Sequence, residues 1–224
     1  MDLQFLSTTP LFHGTTEEEV KEMLNCLGAR TRSYKKGSLI YQAGDTVHAM
    51  GLVLTGSVTI ENDDIWGRRN ILSHIGPGQV FAETYACISS EPLLVNVTAA
   101  ESTEVLFLNV NRLLTTCQNS CVHHTRLIHN LLSISARKNL ALSRRILHTS
   151  PRTIRERLLS YLSEEALRQG SCQFTIPFDR QQLADYLSVD RSALSAELGK
   201  MQREGLITFR KNYFELKAED FSEK

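Results

Sequence analysis

Phe174 to Lys217, FTIPFDRQQLADYLSVDRSALSAELGKMQREGLITFRKNYFELK, reads as a strand, two helices around a tight turn, and a hairpin. That is the layout of a winged helix-turn-helix. Asp179 suits the N-cap of the first helix, which turns Leu183, Ala184 and Leu187 inward. The turn SVDR follows, and Asp190 offers a second cap. From there Leu194, Leu198 and Met201 stand at i, i+4 and i+7, one apolar face for packing on the partner helix. The opposite face holds Ser192, Ser195, Ala196 and Gly199, small enough to let the helix sink into a major groove. Arg191, at the N-terminal end of that helix, can reach base edges or phosphate, and Arg180 and Lys200 flank the surface. Gly205 stops the helix, and Leu206–Arg210 and Tyr213–Lys217 form the wing, joined at Lys211-Asn212, where Asn tolerates positive φ. Double-stranded DNA is the partner this pattern suits. An amphipathic helix pair used for protein contact is the plainer alternative; caps, turn, small-residue face and hairpin together favour DNA.

Upstream, Ser150-Pro151 breaks a helical pattern, with Ser as N-cap and Pro as N1 of a next helix over Arg152–Gln169 that Gly170 closes. The break reads as the hinge between a sensing half and a DNA-reading half. Before it, Leu114, Cys117, Cys121, His124, Ile128, Leu131, Ser135, Leu142 and Ile146 follow a helical stripe from Asn111 to His148. A helix of about 35 residues with an apolar seam packs against another copy of itself, because one domain cannot cover it. Residues 29–109 carry short apolar strands, SLIYQ, GLVLTG, SVTIEN, NILSHI and EVLFLNV, with corners at Gly37, Gly44, Gly56, Gly76 and Gly78. This spacing predicts an antiparallel jelly roll with room for one ligand. A short helix capped by Thr15 or Thr16 precedes it. The expected class is therefore α+β, divided into a jelly-roll sensor at 1–110, a dimerisation helix at 111–148 and a winged helix-turn-helix at 149–224.

Lys+Arg and Asp+Glu both number 25, so global charge does not argue for nucleic acid. Its distribution is uneven: nine Lys/Arg against the single acid Glu156 lie between Arg112 and Arg157, and the first 110 residues are acid-rich. A solvated helix face is the commoner fate of such a run. The sequence has no signal-peptide-like segment and no apolar run long enough for a bilayer, so a soluble cytoplasmic protein is expected, without membrane partner. Five cysteines in such a chain argue against a disulfide framework.

In this order, jelly roll, long helix and winged helix-turn-helix resemble the Crp/Fnr family of bacterial transcription regulators over essentially the whole chain. The most specific segments are PLF at Pro10–Phe12, FAE at Phe81–Glu83, and RTIRERLLSYL from Arg152 through the helix-turn-helix. The resemblance implies a homodimer on a palindromic operator, half-sites roughly 34 Å apart, and an effector in the roll that shifts the hinge. RNA polymerase is a further partner such a regulator would meet. In cyclic-AMP-binding members a Gly-Glu pair is followed by an Arg-Ser pair that holds phosphate and ribose. Here Glu83 is preceded by Ala82, and the Arg-Ser positions read Leu93-Leu94. A phosphate against two leucines is left unpaired at a cost of several kcal/mol, so an effector other than cyclic AMP is expected. Its identity stays open. Only Cys26 precedes Cys87, so the N-terminal iron-sulfur cluster of the oxygen-sensing members is absent. In the recognition helix Arg191 and Ser195 match, whereas Ser192 stands for the common Glu and Ala196 for the common Arg, which predicts a different operator. Ser188 replaces the usual turn glycine.

Beyond Phe81, Ala82, Glu83, Leu93 and Leu94, the effector pocket is expected to include Lys138 and Asn139; Asn139 could instead fix helix register. Cys117, Cys121 and His124 fall within about 60° on one helix face. With Cys87 they could bind zinc, iron or haem, or sense redox change. A buried seam accounts for the same residues more simply, as no CxxC pair fixes a geometry. Trp66, in DDIWGRR, is expected on a hairpin tip, where it could contact polymerase or a DNA-domain surface; local packing over Arg68 is the plainer reading. Two other function classes fit less well. A cupin-like metal enzyme needs clustered barrel histidines, and the roll has only His48 and His74; no other nucleophile or acid-base set suggests an enzyme. A ligand-binding signalling subunit without a DNA role would leave the winged helix unexplained.

Overall fold

The computed structural model describes residues 2–63, 69–88, 90–114 and 122–217. The chain divides into two units, Met1–Ala136 and Arg137–Lys224.

In the first unit two short helices, α1 (Leu3–Thr8) and α2 (Glu17–Cys26), precede the strands. Thr16 and Glu19 form a reciprocal capping box that starts α2. The strands are β1 (Arg30–Tyr34), β2 (Leu39–Tyr41), β3 (Ala49–Thr55), β4 (Val58–Asp63), β5 (Arg69–Ile75) and β6 (Val80–Phe81). After α3 (Glu83–Cys87) come β7 (Asn96–Ala99), β8 (Thr103–Asn109) and the helical turn α4 (Val110–Leu114). They form two antiparallel sheets, ordered β1-β8-β3-β6 and β2-β7-β4-β5, the expected roll. Alternation on β8 organises the core: Val105 joins Val53, Val58, Phe81 and Val97 between the sheets, with Phe107 packed beside them. Leu106 and Leu108 face the other way, into a cluster with Leu6, Phe12, Met23 and Leu27 of the N-terminal segment and Leu127 and Leu131 of the long helix. The first sheet is thus covered on both faces. Of the predicted corners, Gly37, Gly44, Gly56 and Gly78 hold positive φ and Gly76 does not. At Gly56 a Cβ would lie 2.3 Å from the Ser102 carbonyl oxygen, so only glycine fits that turn.

The long helix α5 runs Val122–Thr149. The single helix expected from Asn111 crosses residues 115–121, and with Cys117 and Cys121 that part of the reading lies outside the described residues, as does Trp66. The predicted stripe splits in two. Of its members His124 and Leu131 are buried, joined by Leu127 from outside the stripe, whereas Ile128, Leu142 and Ile146 are exposed, as is Leu132, also outside it. The amide of the buried Asn130 donates to the Leu11 and His13 carbonyls, both at 2.9 Å, which ties α5 to the PLF segment.

The second unit holds the last turns of α5, then α6 (Ile154–Gln169), β9 (Gln173–Thr175), α7 (Arg180–Leu187), α8 (Arg191–Arg203) and the wing strands β10 (Ile207–Arg210) and β11 (Tyr213–Leu216). The sheet order is β10-β11-β9. The sequence reading of the α6 start needs correction. Thr153, not Ser150, is the N-cap, in a capping box with Glu156; the Ser150 hydroxyl donates to the Ile146 carbonyl and closes α5 instead. Gly170 ends α6 in the left-handed region, as expected. Leu158, Leu162, Phe174, Leu183, Leu187, Leu194, Leu198 and Met201 make one core. No helix among the described residues is long and apolar enough to cross a membrane.

Candidate nucleic-acid interface and sensor roll

Asp179 and Asp190 cap α7 and α8 as predicted, Asp179 in a box with Gln182 and Asp190 accepting from the backbone of Ser192 and Ala193. The linker is three residues, one fewer than the sequence suggested, and Ser188 takes the left-handed conformation (φ 54°, ψ 52°) in place of glycine. Arg157 secures that turn, its guanidinium donating to the carbonyls of Leu187 and Ser188. In α8, Leu194, Leu198 and Met201 are fully buried, which turns Arg191, Ser192, Ser195, Ala196 and Lys200 to solvent. The two hydroxyls on this face are engaged locally. Ser192 Oγ donates to the Asp190 carboxylate and Ser195 Oγ to the Arg191 carbonyl. Arg191 is thereby the long donor at the N-terminal end of the helix.

The wing is correct in place and differs in detail. Lys211 (φ 57°), not Asn212, carries the positive φ. The Asn212 amide instead donates to the Ile176 carbonyl at 3.1 Å and braces the wing on the strand before α7. Arg180 lies over the rings of Phe209 and Phe214, with centroids 5.0 and 5.9 Å away. Its partial burial lowers the guanidinium pKa. Beside it a cavity of about 450 Å³ is lined by Pro177, Asp179, Lys211 and Asn212 among others.

The supports of α8 escaped the sequence reading. Arg155 on α6 donates through Nε to Glu197 at 2.6 Å and through Nη1 to Glu204 at 2.7 Å. Hydrogen bonds to Glu204 first, then Glu197, raise its pKa further. Behind this, His148 Nε2 meets the Glu164 carboxylate at 2.6 Å and its Nδ1 the Tyr186 hydroxyl at 2.9 Å. Arg155 belongs to RTIRERLLSYL, but its partners stand on α8 and at its C-cap, and His148, Glu164 and Tyr186 come from α5, α6 and α7, so only the fold pairs them.

In the roll, Phe81 and Glu83 are buried at the N-terminus of α3 and Leu93 is buried in the segment after it, whereas Leu94 is 72% exposed. Ala82 holds the left-handed φ of 59° that suits a glycine. Neither leucine side chain can donate a hydrogen bond, and the Leu93 backbone N–H is taken by the Asp45 carbonyl at 2.9 Å. Lys138 and Asn139 fall in the second unit, and Asn139 Oδ1 accepts from Ser143 Oγ at 3.3 Å. Of the soft ligands, Cys87 is a free thiol on an exposed residue and His124 is buried; partial desolvation of the Cys87 thiol, then the Glu83 carboxylate, pushes its pKa up, away from thiolate chemistry. Among the described residues no three His, Cys, Asp or Glu side chains come together as a metal site.

Comparison with known proteins agrees with this architecture. Residues 31–120 match the cyclic nucleotide-binding domain and residues 156–220 the Crp-like helix-turn-helix domain. The chain is 28% identical over 200 residues to the cyclic AMP receptor protein of Thermus thermophilus, covering 89% of this chain and 88% of the relative. It is similar to the crystal structure of the Thermus thermophilus catabolite activator protein (26% identity, TM-score 0.51, covering 93% and 94% of the two chains). OCPA-complexed CprK shares the fold at 17% identity (TM-score 0.64, 89% of each chain). So does CLP of Xanthomonas campestris, described as a c-di-GMP-responsive global regulator, at 19% identity (TM-score 0.57, 91% and 100%). A nucleotide-binding-type roll followed by a Crp-like DNA-reading domain, matched in that order along nearly the whole chain, places the protein in the Crp/Fnr family of DNA-binding transcription regulators.

Proposed function

We propose that the chain acts as a cytoplasmic homodimer that reads a palindromic operator under control of an effector other than cyclic AMP, by binding and not by catalysis. The observation that carries this reading is the exposed seam of α5. Ile128, Leu132, Leu142 and Ile146 are 38%, 65%, 62% and 62% exposed, and with Ser135 and Asn139 they follow a heptad spacing of four, three, four, three and four. Apolar residues at that spacing support a two-stranded contact with a second copy, and Asn139 at a seam position fixes its register. Two-fold symmetry then sets half-sites about one helical turn apart, with one α8 in each major groove.

Arg180, Arg191, Ser192, Ser195, Ala196 and Lys200 form the DNA-facing set, with Arg191 reading bases and the small residues permitting close approach. RNA polymerase is the next partner once DNA is bound. A relative bears the name cyclic AMP receptor protein, yet Leu93 and Leu94 leave the clamp positions here without a side-chain donor, which supports a different small molecule. Sedimentation at micromolar concentration tests the dimer, with twice the chain mass expected. Ile146→Glu in the seam returns a monomer with weakened operator affinity. A wild-type monomer overturns the reading. Calorimetric titration with cyclic AMP is expected to give no saturable heat, and micromolar binding would restore the nucleotide as effector.

A further inference from the structure

We propose that the open end of the roll binds a small aromatic anion, a planar ring bearing a carboxylate or phosphate, at a site separate from the Glu83 region. On β1, Arg30 pairs with Phe107 and Arg32 with Val105, so both arginines project from the face of the sheet that looks between the two sheets. Arg112, on α4, brings a third guanidinium to the same mouth. It lies against Gly28, where a Cβ would stand 2.7 Å from its Nη1, so the missing side chain at 28 makes room for the guanidinium. The three arginines rim a cavity of about 470 Å³, within the range that takes small ligands.

Its wall is aromatic. Phe107 is met edge-on by Tyr34 (6.4 Å, 69°) and by Tyr41 (5.8 Å, 73°). The Tyr41 hydroxyl donates to the Ala49 carbonyl at 2.8 Å, which fixes that ring. Burial pushes the Tyr41 phenol up to about 12, so it adds no negative charge to the site at neutral pH. Among the described residues the lining contains no carboxylate, and none of the ion pairs involves Arg30, Arg32 or Arg112. Three like charges held at one mouth repel, and an anion there relieves that repulsion while its ring stacks on the tyrosine and phenylalanine faces. Glu83, Leu93 and Leu94 take no part in the lining, so this is a different place from the family's nucleotide position. Binding here goes beyond the regulatory reading and stands or falls without it.

Titration calorimetry on the full chain tests the site, with phenyl phosphate and benzoate as probes and inorganic phosphate, acetate and benzyl alcohol as controls. One aromatic anion per chain is expected to bind, at least tenfold tighter than the corresponding ringless anion, with benzyl alcohol silent. Arg30→Gln combined with Arg32→Gln, and separately Arg112→Gln, weaken binding at least tenfold with unchanged melting, since all three side chains are exposed. Lys35→Gln, an exposed charge outside the lining, leaves it unchanged. Phe107→Leu erases the preference for a ring. Equal affinity for inorganic and phenyl phosphate, or equal loss in Lys35→Gln, would reduce the site to diffuse charge and overturn the proposal. Silence from both aromatic probes up to about 1 mM, the weak limit of specific small-molecule binding, also overturns it and leaves the arginines as a surface for an acidic macromolecule.

Discussion

Arg155 on α6 and Glu197 on the solvent-flanking side of the recognition helix are joined at 2.6 Å, and the same guanidinium reaches Glu204 at the helix end at 2.7 Å. One fork therefore holds α8 at its middle and at its C-terminus. Arg155→Ala is expected to lower the melting temperature and weaken operator binding several-fold, as α8 loses its fixed angle. Arg155→Lys should rescue little, because one ammonium lacks the planar fork that serves two carboxylates. Melting curves and fluorescence anisotropy on one DNA fragment check this, and full rescue by lysine would show that charge alone suffices.

Arg191→Ala should weaken operator binding by about 1–3 kcal/mol with less effect on random DNA. Ser195→Ala should change it by less than about 0.5 kcal/mol, since that hydroxyl is spent on the Arg191 carbonyl. Competition titrations at fixed salt separate the two. Equal losses on operator and random DNA for Arg191→Ala would mean that the guanidinium touches phosphate only.

The winged helix was legible because each of its boundaries has local chemistry: Asp179, Asp190, Gly205 and the apolar triplet of α8 sit where the sequence places them. Strands buried on both faces, β3 and β8, were legible as apolar runs. β1 was not, because RTRSY is an edge strand with four of five residues exposed and no alternation to read. The arginines that matter most for the second cavity lie on that strand. The N-cap of α6 was misplaced because Ser150-Pro151 imitates a start signal, while Thr153 and Glu156 form the reciprocal pair. The stripe on α5 merged two faces, as one helix packs on its own roll at Leu127 and Leu131 and exposes Leu132 and Ile146 elsewhere. Long-range pairs such as Arg155 with Glu197 carry no local signal at all.

Acid is expected to destabilise the DNA-reading unit in particular. Hydrogen bonds from the Ser192 side chain first, then the backbone, hold Asp190 below the usual carboxylate range. Thr153 does the same for Glu156, Arg155 for Glu204 and Thr208 for Glu215. Each folded pKa lies below its unfolded value, so the stability these groups add is complete above the unfolded range near about pH 4 and is lost as the pH falls through the folded values. Melting at pH 7 and pH 3 should show the loss. Asp190→Asn keeps a capping oxygen that does not titrate, so its melting temperature should fall less over the same interval. Parallel curves for the two proteins would remove Asp190 from the account.

Ser188→Gly should stabilise the fold. The turn between α7 and α8 needs a left-handed residue, and Ser188 supplies it at φ 54° and ψ 52°. An L-residue other than glycine pays about 1–2 kcal/mol for that conformation. Glycine gives back about 0.4–1 kcal/mol through the larger freedom of its unfolded chain. The hydroxyl is exposed, and the turn is held from outside by Arg157 through backbone carbonyls that glycine keeps. The net gain is therefore between about 0 and about 1.5 kcal/mol, each kcal/mol being about 2–4 °C in melting temperature for a chain of this size. Ser188→Val should move the other way, because a β-branched side chain is poorly suited to positive φ. A glycine variant that melts below wild type would mean that the serine side chain contributes more to this turn than its backbone strain removes.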